Sequence, residues 1–322
     1  MINTRLILVT GMSGAGKSTT SKGLARQVRL NGIHCRWLHE EIRNHPIRDG
    51  EFTSGSLYSE LDFERNVEDM YVRWERLVKR ILRSKSVYLL EGVLYDNIIR
   101  YFFVANYPPE KIVAYYERLL QIMAPLCPTV VFLYRSDVRA TLEGLYPLRG
   151  EWWKNLILDP TGYRYCQARG LAGQEGAYQL WQAYQDLSAE LFERVAGHKI
   201  KINTQQEAWE CSLQVLTAYL GLNYQPLPEE RAADLQVYCG RYAVQVGEQQ
   251  HGIEIDCNEA GLYCRAFWPY MKLRSLGGRQ FEFVSFPITL AFQKDGAGRV
   301  AAVTVRGEYD WEIVGHTLLR VR

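Results

Sequence analysis

The sequence predicts an α/β domain built on a five-stranded parallel sheet, followed by a small antiparallel all-β barrel or sandwich. Up to about residue 224, short apolar runs alternate with longer amphipathic segments, which is typical of a parallel sheet covered by helices. Beyond that point, short apolar runs are separated by turn sequences at regular spacing. A chain of 322 residues also exceeds the usual size of one core. We therefore predict two domains, 1–224 and 225–322.

Five apolar runs predict the strands of the parallel sheet. Each is short and rich in Val, Ile, Leu or aromatic residues, as strands buried on both faces are. The predicted strands are Leu6–Thr10, His34–Leu38, Ser86–Glu91, Thr129–Tyr134 and His198–Asn203. Apolar residues at helical spacing predict helices between and after them. These helices span Ser18–Leu30, Leu61–Arg83, Gly176–Val195 and Trp209–Leu220.

The C-terminal domain is predicted as a set of short strands that follows a linker near Gly221–Pro228. The candidate strands are Gln236–Val246, Gly252–Asp256, Leu262–Phe267, Gln280–Ser285, Ile288–Gln293, Val300–Arg306 and Thr317–Val321. Glycine-containing turns separate them, including Gly277-Gly278. The pattern that begins at Leu235 resembles the small calycin-like β-domains appended to some serine-hydrolase families, without their catalytic residues.

Composition and charge exclude several classes of protein. The formal net charge is +2, so the chain lacks the basic balance typical of nucleic-acid-binding domains. No apolar stretch approaches the roughly 20 residues of a membrane helix, and the N-terminus does not resemble a signal peptide. The seven cysteines include no C-x-x-C pair, which argues against a disulfide framework and against a cysteine zinc site. We expect a cytoplasmic protein without a membrane or nucleic-acid partner.

A glycine-rich loop between the first predicted strand and helix fits the pattern G-x-x-x-x-G-K-[ST]. Its glycines permit backbone angles that turn successive N–H groups toward phosphate oxygens, and the following helix adds its positive end. Lys17 is expected to reach the β- and γ-phosphates, and Ser18 to ligate Mg²⁺ through its hydroxyl. The predicted triphosphate-binding residues are Gly11, Met12, Ser13, Gly14, Ala15, Gly16, Lys17, Ser18 and Thr19.

Further motifs separate the classes of phosphate-loop protein. The N-K-x-D motif of GTPases does not occur, and the string nearest to the ABC-type signature, Ser275–Gln280, lies in the β-rich tail. Residues 1 to about 220 resemble the small-molecule and nucleotide kinases of the phosphate-loop superfamily, around adenylylsulfate kinases, chloramphenicol phosphotransferase and thymidylate kinases. The resemblance implies the P-loop NTPase fold, ATP as phosphoryl donor and Mg²⁺ as cofactor.

Two acidic strand ends provide candidate chemistry. The run His39-Glu40-Glu41-Ile42-Arg43 resembles the acidic strand end of adenylylsulfate kinases, where a carboxylate orients or deprotonates the attacking hydroxyl. Adjacent side chains do not easily share one direction, so we expect one of the two glutamates to face the phosphate. We favour Glu41, and two solvated carboxylates at a helix start are the alternative. Glu91 ends the third strand, where ligands of parallel sheets bind, and is the predicted carboxylate of the Mg²⁺ shell.

The segment after the fourth predicted strand corresponds, in this superfamily, to a lid that delivers arginines to the transferring phosphoryl group. Arg139 and Arg149 are the candidates, with ordinary surface arginines as the alternative. Asn203-Thr204-Gln205 predicts a helix cap, with contact to adenine as an additional role. Candidates for an acceptor pocket are Tyr95, Asp96 and Arg100.

Together these features predict an ATP-dependent phosphotransferase that moves the γ-phosphoryl group of Mg²⁺–ATP to a hydroxyl or phosphate of a small-molecule acceptor. The predicted catalytic residues are Lys17, Glu41, Glu91, Arg139 and Arg149, and the predicted metal ligands are Ser18 and Glu91. The alternative is a nucleotide-dependent switch or binding ATPase that uses the β-domain to bind a partner. The near-neutral charge argues against a kinase of nucleic-acid ends. The acceptor and the oligomeric state are left open.

Overall fold

A computed structural model describes residues 3–48, 63–96, 98–205, 209–226 and 235–321 of the chain. The chain divides into two compact units. The first, called the α/β unit here, comprises Met1–Glu40, Asn44–Glu143 and Asn155–Gln225. The second, called the β unit, comprises Glu41–Arg43, Gly144–Lys154 and Pro226–Arg322. Two short internal segments therefore belong to the β unit although most of that unit lies far from them in sequence.

The α/β unit contains a five-stranded parallel sheet in the order β2-β3-β1-β4-β5, which confirms the predicted sheet. Its strands are β1 (Leu6–Thr10), β2 (Cys35–Leu38), β3 (Val87–Glu91), β4 (Thr129–Tyr134) and β5 (His198–Asn203). β1 and β3 are buried along their whole length, as inner strands of a sheet covered on both faces are. Continuous apolar runs therefore located these strands to within one residue.

Eight α-helices lie in the described part of the chain. They are α1 (Lys17–Leu30), α2 (Phe63–Arg83), α3 (Ile98–Val104), α4 (Pro109–Met123), α5 (Val138–Leu158), α6 (Arg164–Gln167), α7 (Gly173–Glu193) and α8 (Trp209–Tyr219). The four predicted helices correspond to α1, α2, α7 and α8, whereas the sequence analysis did not assign α3 to α6. Glycine interrupts α5 at Gly150, where φ is 82°. None of the helices within the described ranges has the length and hydropathy to cross a bilayer.

The register of the sheet brings three strand ends together. Val9 of β1 lies opposite Glu91 of β3, and Leu38 of β2 lies opposite Leu90 of β3. Because these strands run parallel, their carboxyl ends meet at one edge of the sheet. The loop after β1, the acidic residues after β2 and the end of β3 therefore start from neighbouring points.

Eight antiparallel strands in the β unit form a closed barrel, which decides between the predicted barrel and sandwich. They are β6 (Gly240–Val246), β7 (Gln249–Asn258), β8 (Gly261–Arg265), β9 (Met271–Gly277), β10 (Gln280–Phe283), β11 (Ile288–Lys294), β12 (Val300–Gly307) and β13 (Thr317–Arg320). Each strand pairs with the next, and β13 closes the barrel on β6. The buried core of the unit is apolar and includes Phe281, Phe283 and Leu290.

One strand of the barrel, β9, was missing from the sequence prediction. Only Met271 and Leu273 alternate as buried residues in it, and the rest of the strand is polar or partly exposed. That alternation is too short to stand out from a loop. The predicted turn at Gly277-Gly278 does join β9 to β10. The first strand of the β unit, which was predicted to begin at Gln236, begins at Gly240, because Gln236–Tyr238 form a 3-10 turn.

Candidate functional site

The loop between β1 and α1 has the backbone geometry that its glycines predict. The φ angles of Gly11, Gly14 and Gly16 are 143°, 86° and 86°. Residues other than glycine rarely adopt such backbone angles. A β-carbon at Gly11 would also overlap the carbonyl oxygen of Leu133 at the end of β4. The loop therefore fits against the sheet edge only with glycine at this position.

Two buried apolar residues hold this loop in position. Met12 and Ala15 are 2 % and 0 % exposed, and Ala15 donates its N–H to the carbonyl of Met12 at 3.2 Å. Ser13 in the loop, and Ser18 and Thr19 in the first turn of α1, are half-buried. The apolar residues therefore hold the loop in position. α1 then begins directly at Lys17, so the positive end of the helix faces the loop.

Glu91 and Ser18 form the centre of the candidate site. Glu91 is fully buried at the end of β3, and its Oε1 accepts a hydrogen bond from Ser18 Oγ at 3.0 Å. Burial and the negative charge of Glu40 raise the pKa of Glu91 to about 8. A hydroxyl beside a buried carboxylate is a donor set that fits Mg²⁺, which prefers oxygen ligands. The two predicted metal ligands thus lie next to each other.

Glu40, and not Glu41, is the glutamate beside Glu91. The backbone N–H of Glu40 donates to Glu91 Oε2 at 3.4 Å. Its carboxylate lies directly over Gly92, where a β-carbon would overlap Glu40 Oε2. His39 is also buried here, with Nε2 at 3.6 Å from Glu91 Oε2. The absence of a side chain at Gly92 therefore makes the space in which the Glu40 carboxylate rests.

Lys17 lies between these carboxylates and Asp96. Its Nζ is 2.7 Å from Asp96 Oδ2, and both side chains are 8 % exposed. Burial works against the ammonium ion, but the charges of Asp96, Glu40 and Glu91 raise the pKa of Lys17 overall. Tyr184 donates its hydroxyl to Asp96 Oδ1 at 3.2 Å and so orients that carboxylate. Lys17 is held ionised at the loop.

Two arginines complete what we call the charged cluster, defined as Lys17, Glu40, Arg48, Glu91, Asp96 and Arg100. Arg48 Nη1 donates to the carbonyl oxygen of Glu40 at 3.0 Å. Burial opposes ionisation of Glu40, but the charges of Lys17 and Arg48, with further contributions from His39 and Arg100, lower its pKa. The cluster therefore contains an ionised carboxylate that is held close to Lys17.

Three predicted catalytic residues, Glu41, Arg139 and Arg149, make contacts within their own units that do not involve the charged cluster. Glu41 belongs to the β unit, where it accepts a hydrogen bond from the Tyr309 hydroxyl at 2.5 Å. Arg139 pairs with Glu175 on the surface of the α/β unit and is 51 % exposed. The roles that the sequence analysis gave to Glu41 and Arg139 stay predictions.

Arg149, the third of these residues, belongs to the β unit. Its guanidinium lies over the rings of Trp153 and Trp268, at 4.7 Å and 4.5 Å from their centroids. Stacking between two indoles is a favourable environment for a guanidinium ion. The predicted lid role of Arg149 is neither required nor excluded by this contact.

The residues after β5 connect the end of that strand to the glycine-rich loop between β1 and α1. Thr204 Oγ1 donates to the carbonyl oxygen of Ala15 at 3.0 Å. Asn203 Oδ1 accepts the N–H of Gln205 at 3.0 Å, which is a local turn of the kind that Asn favours. The Asn-Thr-Gln run thus supports the loop from β5, two strands away from β1 in the sheet.

Sequence reasoning missed two members of the site. His39 appeared in the sequence only as the first residue of the run that contains Glu40 and Glu41 and was given no role, and Arg48 was not considered. The only signal for His39 was its position directly after β2, at the edge where the other strands end. Arg48 follows a turn in which His45 Nδ1 accepts the N–H groups of Ile47 and Arg48 at 3.1 Å and 3.0 Å. Periodicity does not predict such a turn.

Comparisons with known proteins add little to this geometry. No protein-family model matches the sequence, and no curated protein matches it. Among solved structures, the chain is similar to the YorR protein from Bacillus subtilis, whose crystal structure is a complex with phosphorylated GDP. Sequence identity is 12 %, the alignment covers 67 % of this chain and 95 % of that chain, and the TM-score is 0.37. So distant a similarity carries no argument about function, which therefore depends on the geometry of this chain.

Proposed function

We propose that the α/β unit is a phosphotransferase that moves the γ-phosphoryl group of Mg²⁺–ATP to a hydroxyl or phosphate of a small-molecule acceptor. The observation that carries the proposal is the position of the Glu40 carboxylate, which is held over Gly92, next to Glu91 and within the field of the Lys17 charge. Triphosphate binding alone needs the loop, Lys17, Ser18 and Glu91. The additional carboxylate is the group that a transfer reaction needs for its acceptor.

The donor half of the proposed site consists of groups on the loop and on β3. Backbone N–H groups of the loop and the N-terminus of α1 bind phosphate oxygens. Lys17, now paired with Asp96, would turn its ammonium toward the β- and γ-phosphates. Ser18 and Glu91 would hold Mg²⁺, which supplies charge neutralisation on the transferring phosphoryl group.

The acceptor half of the proposed site is built around Glu40. Its carboxylate orients the acceptor hydroxyl and takes its proton as the acceptor oxygen bonds to the γ-phosphorus. The bond between that phosphorus and the bridging oxygen of ADP breaks in the same step. Because the neighbouring cations lower the pKa of Glu40, its carboxylate is ionised and ready to accept the hydrogen bond. Electrostatics and positioning supply most of the catalysis in such transfers.

The test is an ATP-consumption screen over nucleosides, nucleotides, sugars and antibiotics, followed by kinetics with the best acceptor. Glu40→Gln keeps the shape of the side chain and removes the proton acceptor, so we expect kcat to fall by about 10²- to 10⁴-fold. Glu41→Gln is the matched control, because Glu41 is the next residue and contacts Tyr309 instead. Its kcat should stay near the wild-type value.

The variant Lys17→Ala tests the donor half separately. It should abolish transfer while the protein remains folded, as judged by circular dichroism. Retained transfer by Lys17→Ala, or loss of kcat in Glu41→Gln and not in Glu40→Gln, would contradict the proposed roles. Slow ATP hydrolysis that no acceptor stimulates, together with nucleotide-dependent capture of a protein, would favour the switch or binding ATPase instead.

A further inference from the structure

A second cluster of ligand-type side chains lies in the β unit. Cys239 ends the turn that leads into β6, and Asp256 and Cys257 lie near the end of β7. Gly240 pairs with Ile255 across these antiparallel strands, so the register brings Cys239 close to Asp256 and Cys257. The two sulfur atoms and one carboxylate oxygen lie within 4.8 Å of one another. All three residues are half-buried.

Local hydrogen bonds hold these side chains in place. Cys257 Sγ donates to Gln236 Oε1 at 2.8 Å, so an amide oxygen joins the group. Asp256 Oδ1 accepts the backbone N–H of Cys257 at 2.8 Å. Both sulfurs also pack against the apolar core of the barrel. The ligand atoms are therefore close together and partly shielded from water.

Cationic and hydroxyl groups surround the cluster and compensate its charge. Tyr263 donates its hydroxyl to Asp256 Oδ2 at 2.8 Å, and Arg265 Nη2 is 3.3 Å from the same oxygen. Arg320 donates to the carbonyl oxygen of Cys239 and to that of Val300, the latter at 3.2 Å. Such outer contacts orient ligands and offset the excess negative charge of two thiolates and a carboxylate on a divalent ion.

We propose that Cys239, Cys257 and Asp256 bind a thiophilic divalent cation, with Zn²⁺ the best match. Cysteine sulfur and carboxylate oxygen are both ligands of Zn²⁺, and tetrahedral Zn²⁺ places sulfur ligands about 3.8 Å apart, within the observed spread of ligand atoms. Binding releases the two thiol protons to solvent, and Gln236 Oε1 then loses its S–H donor and becomes free for the fourth position. The ion ties the turn before β6 to the end of β7.

The wild-type protein provides the first test. Full-length protein is reduced, stripped of metal with a chelator, and alkylated with or without one equivalent of Zn²⁺, and the modified cysteines are identified by peptide mass spectrometry. Zn²⁺ should protect Cys239 and Cys257 together. The exposed thiols of Cys127 and Cys211 are internal controls and should react equally under both conditions. Unchanged alkylation of Cys239 and Cys257 would overturn the proposal, as would an intact disulfide between them in untreated protein.

Single variants assign the ligands. We expect competition titrations against a chromophoric chelator to give one tight Zn²⁺ site in wild type and in Cys211→Ser. Cys239→Ser and Cys257→Ser should lose that site, and Asp256→Asn should weaken it by at least about tenfold. Replacing Zn²⁺ by Cd²⁺ in wild type should produce a sulfur-to-metal charge-transfer band, which does not depend on any variant folding. Equal weak binding by wild type and all variants, an adventitious ion only, would refute the site.

Discussion

At the scale of single residues, the candidate site depends on Gly92. This residue has a φ of 73°, and the Glu40 carboxylate occupies the space where a side chain would begin. Glu40 and Glu41 are neighbours with the same chemistry, yet only Glu40 lies beside Glu91. The choice between them is made by this small space and by the hydrogen bond from Arg48 to the Glu40 carbonyl.

The variant Gly92→Ala tests that space. The positive φ should cost about 1–3 kcal/mol of folding free energy, and the β-carbon should displace Glu40 and lower kcat of phosphoryl transfer. Gly32→Ala is the control, because Gly32 has a φ of 75° but no atom within 4 Å of the position of its β-carbon. It should share the loss of stability, measured by urea unfolding, without the loss of kcat. Equal kcat in both variants would contradict the role of Gly92.

His45 makes the stability of the protein depend on pH. It is 5 % exposed, and burial together with the charge of Arg48 lowers its pKa to about 3, against about 6.5 in the unfolded chain. Between these values the unfolded state binds more protons, so His45 destabilises the fold as pH falls from about 6.5 toward 3. The stability that neutral His45 contributes is fully present above the pKa of the unfolded state and is lost below the pKa of the folded state.

His45→Asn should remove this dependence, because Asn also offers an oxygen acceptor to the N–H groups of Ile47 and Arg48. From pH 7.5 to pH 5, wild type should lose about 2 kcal/mol of unfolding free energy more than His45→Asn does. Urea titrations at several pH values give this difference. The exposed His34 is the control, and His34→Asn should follow wild type at every pH. Parallel pH profiles for wild type and His45→Asn would show that His45 is not the group responsible.

At the scale of elements, the site depends on contacts between strand ends. The loop after β1 is in contact with the end of β4 through Gly11, and with the end of β5 through the hydrogen bond from Thr204 to Ala15. These two strands lie on the same side of β1 in the sheet. The glycine-rich loop between β1 and α1 is thus supported by residues that are far from it in sequence.

Thr204→Val removes the hydrogen bond to the loop and keeps the shape of the side chain. We expect a loss of about 1 kcal/mol in stability and a several-fold weaker affinity for ATP, measured by calorimetric titration. Thr217→Val makes the same change on α8, where the hydroxyl donates to the carbonyl of Leu213 at 2.6 Å. It should cost stability without changing the Kd for ATP. An unchanged Kd in Thr204→Val would show that the loop holds its position without this bond.

At the scale of the whole molecule, the sequence analysis recovered most of the architecture. All five parallel strands were predicted, the inner ones from continuous apolar runs, and long amphipathic helices such as α2 were found by their spacing. Short elements, and elements that mix polar and apolar residues, were harder to predict from the sequence. α3 has only seven residues, and β9 has two buried apolar positions, so neither produces a clear period. The sequence did not decide whether the barrel closes. Closure depends on pairing between β6 and β13, the first and last strands of the unit in sequence.

The sequence by itself indicated the glycine-rich loop between β1 and α1 and the carboxylate of Glu91, because both follow from local patterns: a glycine spacing and a charged residue that ends an apolar strand. Only the tertiary structure decided that Glu40 lies beside Glu91, that Asp96 pairs with Lys17, that Arg48 joins the site, and that Cys239 lies close to Cys257. Cysteine spacing argued against a zinc site, and the ligands that we propose come from a turn and a separate strand, which such spacing does not reveal. Side-chain direction and pairing between distant strands depend on packing, which a local pattern does not contain.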